Sequence, residues 1–271
     1  MSAGVAWTRH LKVRDAIGAA VDALTAAGCD TPRLDAELLI ADALGITRAR
    51  LIADPSAPIP PPAARVIGER IRRRAMREPV AYILERQAFR HIELAVDSRV
   101  LIPRPETELL VDCAVGMDEG ARVHDLGTGS GAIALAIKQE RPDMQVTGSD
   151  TSTAALARAQ ANAERLHLRV AFGTEPNFDV DLVVANLPYI RADEWSSLQP
   201  EIRLYEPREA LVSGDDGLDA IRALVASAPA GTQLALEHAP AQAAEVRALL
   251  VGGETLADLA GRERVTLGSV P

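Results

Sequence analysis

A chain of 271 residues is longer than the usual single domain of roughly 100–200 residues, so one large α/β domain with a smaller partner is the first expectation. Hydrophobic and charged contents of 48% and 25% are those of an ordinary soluble globular protein, and aromatics at 3% leave the core to Ala, Leu, Val and Ile. Net charge is −9 but uneven: residues 1–90 hold 14 Lys and Arg against 10 Asp and Glu, residues 91–271 hold 15 against 28, and the two parts therefore meet different partners or the first merely presents a solvated basic face.

Two cysteines, Cys29 and Cys113, cannot make a disulfide framework and suit a reducing compartment. The histidines show no HxH or HExxH spacing and the cysteines no CxxC, so no metal site is expected. The opening residues "MSAGVAWTRHLKVRDA" lack the apolar core of a signal peptide, and no apolar run approaches the ~20 residues of a membrane span. A cytoplasmic protein is expected.

Along the chain, Leu11, Ile17, Val21 and Leu24 fall at helical spacing, with Gly28 as a stop. Thr31-Pro32 predicts an N-cap and first helical residue, and Leu34, Leu38 and Ala41 continue that helix to Gly45. "DPSAPIPPP" is a rigid loop, followed by a helix over "AARVIGERIRRRAMRE". Residues 1–84 thus read as a small helical domain. "AFRHIELAVD" alternates apolar and polar, predicting a hairpin linker over residues 85–100. From residue 101 to 271, a helix after Pro105 leads into alternating strand-like and helix-like segments, which predict a doubly wound, mostly parallel sheet. The strand-like segments are "RVHDLG", "QVTGSD", "LRVAF", "VDLVVAN", "TQLALEH" and "ERVTLGSV". Ligands on such sheets bind at the carboxyl ends of the strands.

"DLGTGSG", Asp125 to Gly131, sits between a strand and a helix. Gly127, Gly129 and Gly131 let the backbone turn tightly against a ligand, with Thr128 and Ser130 between them and helix amides facing the same space. The absence of GK[ST] excludes a P-loop match, and the third glycine comes one residue too early for the dinucleotide GxGxxG. The next strand ends in Asp150, placed to accept hydrogen bonds from ribose hydroxyls; its alternative role is to cap the following helix. "DVDLVVANLPYI" then brings a buried strand to an abrupt end at Asn186-Leu187-Pro188-Tyr189.

These motifs resemble class I S-adenosylmethionine methyltransferases that act on amide or amino nitrogen. "REPVAYIL", "LIPRPETELLVD", "DLGTGSGAIALA", "YEPREALVSGDDGLDAI", "LALEH" and "ERVTLG" are similar to the release-factor glutamine N5-methyltransferases, the PrmC/HemK family, from about residue 31 to the end. The resemblance implies a seven-stranded methyltransferase sheet over residues 101–271 and a substrate-recognition role for residues 1–84. It also implies S-adenosylmethionine as cofactor and, as substrate, the glutamine of the Gly-Gly-Gln loop of a peptide-chain release factor. By resemblance, Asn186 and the Leu187 carbonyl accept the two amide hydrogens, Pro188 fixes the turn and Tyr189 walls the pocket. Gly127, Thr128, Gly129, Ser130, Gly131, Asp150, Phe172 and Asn186 surround the cofactor, and Arg104 to Glu108 floor its pocket.

Two departures matter. The family usually reads Asn-Pro-Pro-Tyr; Leu187 makes this Asn-Leu-Pro-Tyr, the form seen in rRNA adenine-N6 dimethyltransferases. Adenine in RNA is therefore the alternative acceptor, gripped through the arginines of Arg65 to Arg77, although the acidic second part repels nucleic acid from the site mouth. After the third sheet strand, "VAFGTEPNFDVD" lacks the family's acid-aromatic pair, leaving Phe172 as the apolar wall or Glu175 as the acceptor. A catalytically weakened cofactor-binding homologue is the third reading; a nicotinamide oxidoreductase is disfavoured by the glycine spacing.

Overall fold

The structure, a computed structural model, describes residues 11–271; residues 1–10, the start of the expected helical domain, lie outside it. The chain divides into two units at Leu84/Glu85.

In the first unit, α1 (Val13–Ala26), α2 (Pro32–Ala43), α3 (Arg48–Ala53), α4 (Pro61–Ala75) and α5 (Val80–Leu84) enclose Leu24, Ile40, Leu51, Ile59 and Ile67. Pro32 opens α2 as predicted, but the Thr31 hydroxyl makes no capping bond and donates instead to Asp35 Oδ1 at 2.8 Å. Four of the five arginines of α4, all but exposed Arg65, are engaged within this unit. Arg70 pairs with Asp42 (2.5 Å), Arg72 with Glu69 (2.6 Å), Arg73 with Glu78 (2.5 Å) and buried Arg74 with buried Asp35 (2.7 Å). Arg77 donates to the Gly28 carbonyl at 2.6 Å. Removing either partner of the Arg74–Asp35 pair would leave a buried charge uncompensated, so these side chains hold helices together.

The second unit begins with a hairpin of β1 (Arg86–Phe89) and β2 (Ile92–Ala95). After a 3₁₀ turn at Pro105–Thr107 come α6 (Glu108–Val115), β3 (Arg122–Leu126), α7 (Ala132–Glu140), β4 (Gln145–Ser149), α8 (Thr153–Leu166), β5 (Ala171–Gly173) and β6 (Leu182–Ala185). They are followed by α9 (Pro200–Tyr205), α10 (Asp219–Ser227), β7 (Gln233–Glu237), α11 (Ala243–Leu249), β8 (Val251–Ala257) and β9 (Glu263–Ser269). Seven of these strands form one sheet in the order β5-β4-β3-β6-β7-β9-β8, in which only β9 runs against its neighbours. All four residues of β6 are buried, as a strand covered on both faces requires.

Segment by segment the sequence shows six sheet strands, and β8 is the one it hides. Gly252-Gly253 and a largely exposed edge position erase the alternation that marks a strand, and register shifts interrupt its pairing with β9. The chain winds from β3 outward to β5, then returns to place β6 on the other side of β3. That reversal opens a crevice at the carboxyl ends of β3 and β6.

Candidate active site

Leu126 of β3 is paired with Ala185 of β6, so the residues that follow them, Gly127 and Asn186, leave the sheet side by side. A Cβ added to Gly127 would lie 3.0 Å from Leu187 Cδ2 and 3.7 Å from the Asn186 carbonyl oxygen. Between these strand ends is a cavity of about 320 Å³, walled by Gly127, Gly129, Asp150, Asn186, Leu187 and Pro188. That volume is at the lower end for small-molecule sites.

The glycine loop takes left-handed backbone at every second residue, with φ of 77° at Gly127, 55° at Gly129 and 82° at Gly131. The amides of Gly127 and Thr128 both donate to the Ser149 carbonyl, at 2.8 and 2.9 Å, which ties the loop to the end of β4. Thr128 turns its hydroxyl inward to Asp125 Oδ2 at 2.6 Å, and Ser130 is buried with its carbonyl accepting from Asn162 Nδ2 at 2.9 Å. Asp125 lies beneath this turn with Oδ1 unpartnered, and burial pushes its carboxyl up to about 7. Gly131 is the N-cap of α7, and a Cβ there would meet Leu135 Cδ1 at 2.9 Å.

Asp150 does not cap α8. Ser152 does, its hydroxyl accepting from the Ala155 amide at 3.2 Å. Asp150 instead accepts from the Gly129 amide at 2.9 Å and the Ser152 amide at 2.8 Å, holding the glycine loop from the neighbouring strand end.

Asn186 donates from Nδ2 to Thr107 Oγ1 at 3.0 Å; among the described residues its Oδ1 has no hydrogen-bond partner. The Tyr189 hydroxyl donates to Glu237 Oε1 at 3.1 Å, and the Tyr189 carbonyl accepts from Gln242 Nε2 at 2.9 Å. Burial, together with the Glu237 charge, pushes the Tyr189 phenol up and keeps it neutral.

Several expected wall residues lie elsewhere. Phe172, opposite Gly148 in the sheet, packs against that glycine, where a Cβ would come within 2.9 Å of its ring. The cavity wall beyond β5 is Thr174 and Pro176, and Glu175 is exposed. Arg104 to Glu108 do not floor the cavity; Val100 and Leu101 wall it instead. Arg104 is clasped by buried Glu206, which also accepts from the Ile102 amide at 3.2 Å, so "IPRPETE" and "YEPRE" lock together. Thr107 and Glu237, which touch two residues of the Asn186–Tyr189 loop, carry no local sequence signal beyond lying in two of the resembling motifs. No group of three or more His, Cys, Asp or Glu side chains among the described residues could hold a metal ion.

The cavity suits S-adenosylmethionine on its own geometry. An added Cβ at Gly129 would have only the Gly127 carbonyl oxygen within reach, at 4.0 Å, so the missing side chain leaves open room on the cavity side. Apolar Leu101, Pro176 and Leu187 face that room beside the Asp150 carboxylate. Fold and site together define a class I S-adenosylmethionine-dependent methyltransferase.

Residues 15–84 match the PrmC N-terminal domain family and residues 104–202 the methyltransferase small domain family. The release factor glutamine methyltransferase of Cereibacter sphaeroides is 41% identical over 278 residues, covering 96% of this chain and 99% of the relative. That of Xylella fastidiosa (strain Temecula1) is 43% identical over 258 residues, covering 88% of this chain and 94% of the relative. The hMettl16 catalytic domain, solved in complex with MAT2A 3'UTR hairpin 6, shares the fold at a TM-score of 0.54 and 13% identity, covering 75% of this chain and 82% of that one. The chain belongs to the release factor glutamine methyltransferase family.

Proposed function

We propose that this chain methylates the side-chain amide nitrogen of the glutamine in the Gly-Gly-Gln loop of a peptide-chain release factor. Relatives named for that activity align over nearly the whole chain, both units included. The observation that carries the chemistry is Asn186, a residue of the cavity wall one position beyond the pairing of β6 with β3, whose Oδ1 has no hydrogen-bond partner among the described residues.

A carboxamide nitrogen is a poor nucleophile because its lone pair is delocalised into the carbonyl. Asn186 Oδ1 and the Leu187 carbonyl each accept one N–H of the substrate amide, which fixes its orientation and stabilises the charge that grows on nitrogen. Pro188 restricts the backbone that aims the Leu187 carbonyl, and Tyr189 bounds the amide. When bound, S-adenosylmethionine supplies an electrophilic methyl group on sulfur. The Gly127–Gly131 loop would hold it by backbone, with Asp150 on its ribose. No buried base is needed, because an alkylated amide is acidic enough to lose its proton to water. Two oriented reactants can lower a barrier by several kcal/mol, on the order of 7–11 in ideal cases.

Adenine in RNA is not favoured as acceptor. Arg70, Arg72, Arg73, Arg74 and Arg77 already engage acceptors in their own unit, which leaves little of the basic helix for phosphates. None of the described helices is long and apolar enough to cross a membrane, and a cytoplasmic location accords with a translation-factor substrate.

Asp150→Ala is expected to raise the cofactor dissociation constant, measured by calorimetry; an unchanged constant would leave Asp150 only its bonds to the loop. Leu187→Pro keeps the acceptor carbonyl, and no hydrogen bond from the Leu187 amide exists among the described residues to be lost. Methyl transfer should therefore persist in that variant, and its abolition would mean the loop serves a different acceptor. The assay that tests the function offers release factor and ribosomal RNA together with radiolabelled cofactor. Label should enter the protein; label in RNA alone would overturn the proposal.

A further inference from the structure

We propose that Glu206 is a positioning residue for S-adenosylmethionine, joining two stretches of the cavity wall that lie outside the sheet. The inference rests on the cofactor's place in this cavity argued above. Gly127, Asp150 and Asn186 are set by strand ends, but part of the wall belongs to no strand or α-helix. One such stretch is Arg99, Val100 and Leu101; the other is Pro207, Glu209 and Ala210. Walls of this kind are placed less exactly than those built on regular elements, and depend on their anchors.

Each outer end is anchored. Asp97 accepts from Arg99 Nη2 at 2.7 Å and from Arg158 of α8, the helix whose first turn carries the wall residue Ala155. At the other end, the Leu211 carbonyl accepts from the Ile190 amide at 2.8 Å, and the Ile190 carbonyl accepts from the Ser213 amide at 2.9 Å. Ile190 directly follows the Asn186–Tyr189 loop. Between these ends lies buried Glu206, the residue before Pro207. Its Oε2 accepts from the amide of Ile102, the residue after Leu101, at 3.2 Å, and its Oε1 accepts from Arg104 Nη2. Both oxygens of one carboxylate therefore hold the opposite stretch. The result is a continuous belt from α8 to the Asn186–Tyr189 loop, with Glu206 as its middle link.

A ligand seated inside the belt binds in proportion to the fraction of molecules in which the belt is joined. If losing the link leaves about one molecule in ten joined, the apparent dissociation constant rises about tenfold. Glutamine at position 206 keeps the shape but turns an NH₂ toward one of two donors, so only one bond survives. Asn186 is less affected. Thr107, which receives it, leads into α6, and that helix is anchored by buried Leu110, Val111 and Ala114. The link therefore acts on cofactor affinity more than on the chemical step.

Calorimetry and stopped-flow release of S-adenosylmethionine test this on the whole protein. Glu206→Gln is expected to raise the dissociation constant by on the order of tenfold, mainly through faster release, with a much smaller change in kcat at saturating cofactor. Arg104→Met should do the same, and Arg104→Lys should recover most of that loss. The double variant Glu206→Gln/Arg104→Met should bind no more weakly than the weaker single variant, since both changes open one link. In the free protein, the Ile102 amide should exchange its hydrogen faster in Glu206→Gln, while the amides of β6 keep their rates. Should Glu206→Gln fail to fold, Arg104→Met against Arg104→Lys makes the same comparison. A merely structural role would lower the melting temperature yet leave the folded protein's affinity at the wild-type value, and that result overturns the inference. So does an Ile102 amide that exchanges at the wild-type rate. Weakened binding in Asp150→Ala with unchanged binding in Glu206→Gln sinks this inference alone. Binding indifferent to both changes would place the cofactor elsewhere, and the reading of the cavity falls with it.

Discussion

Replacing Asn186 with alanine is expected to lower the turnover of methyl transfer by roughly 10²-fold or more, as loss of one oriented stabilising group does in comparable sites. Cofactor binding should be largely unchanged. The separation follows from the geometry. Asn186 contributes one side of a cavity whose loop is held independently, by the Ser149 carbonyl and the Asp150 carboxylate on the far side of β3. Truncation leaves those bonds in place and removes only Oδ1 and the tether to Thr107. The substrate amide then loses one of two acceptors and its orientation with it. Label incorporation into release factor, beside calorimetric titration of the cofactor, measures both quantities. Near-normal turnover would remove Asn186 from the chemistry.

Gly217→Ala should be as damaging from a position outside the cavity wall. Gly217 is buried, with φ of 80°, a conformation that costs an L-residue about 1–2 kcal/mol. Its added Cβ would lie 2.2 Å from the Tyr189 carbonyl oxygen and 2.5 Å from Gln242 Nε2. The first of these is backbone, so no rotamer change relieves it. Gln242 Nε2 also bridges the Tyr189 and Asp216 carbonyls, at 2.9 and 3.0 Å, so three segments meet where the methyl would go. Forcing extra carbon into a packed site costs about 1–3 kcal/mol beyond the backbone strain. The expected result is a melting temperature lower by several degrees and methyl transfer reduced well beyond the loss of folded protein, because the displaced atom belongs to Tyr189. A variant with wild-type melting and wild-type rate would show that this loop tolerates movement.

The parts of the site that the sequence displays are those a parallel sheet gathers by rule. Gly127, Asp150 and Asn186 each follow a strand by one residue, and neighbouring parallel strands bring their carboxyl ends to the same edge. Reading where each strand stops is therefore enough to collect them. Thr107 reaches Asn186 across 79 residues, Tyr189 reaches Glu237 across 48, and Arg104 reaches Glu206 across 102. No local periodicity encodes such pairings, since any partner of suitable polarity would give the same pattern. The basic helix shows the same limit from the other side. Its arginines are plain in the sequence, whereas Asp35, Asp42 and Glu78, which receive three of them, read as ordinary members of neighbouring segments. The packing of the Phe172 ring into the space beside Gly148 on the neighbouring strand is likewise a pairing that no local pattern displays.

The most direct measurement is the mass and fragmentation of the Gly-Gly-Gln peptide from release factor incubated with this protein and S-adenosylmethionine. The peptide should be one methyl group heavier, with the added mass on the glutamine side chain, and Asn186→Ala should leave it at its original mass over the same time. A methyl group found only on RNA, or on the glutamine at an undiminished rate with Asn186 gone, would contradict the account.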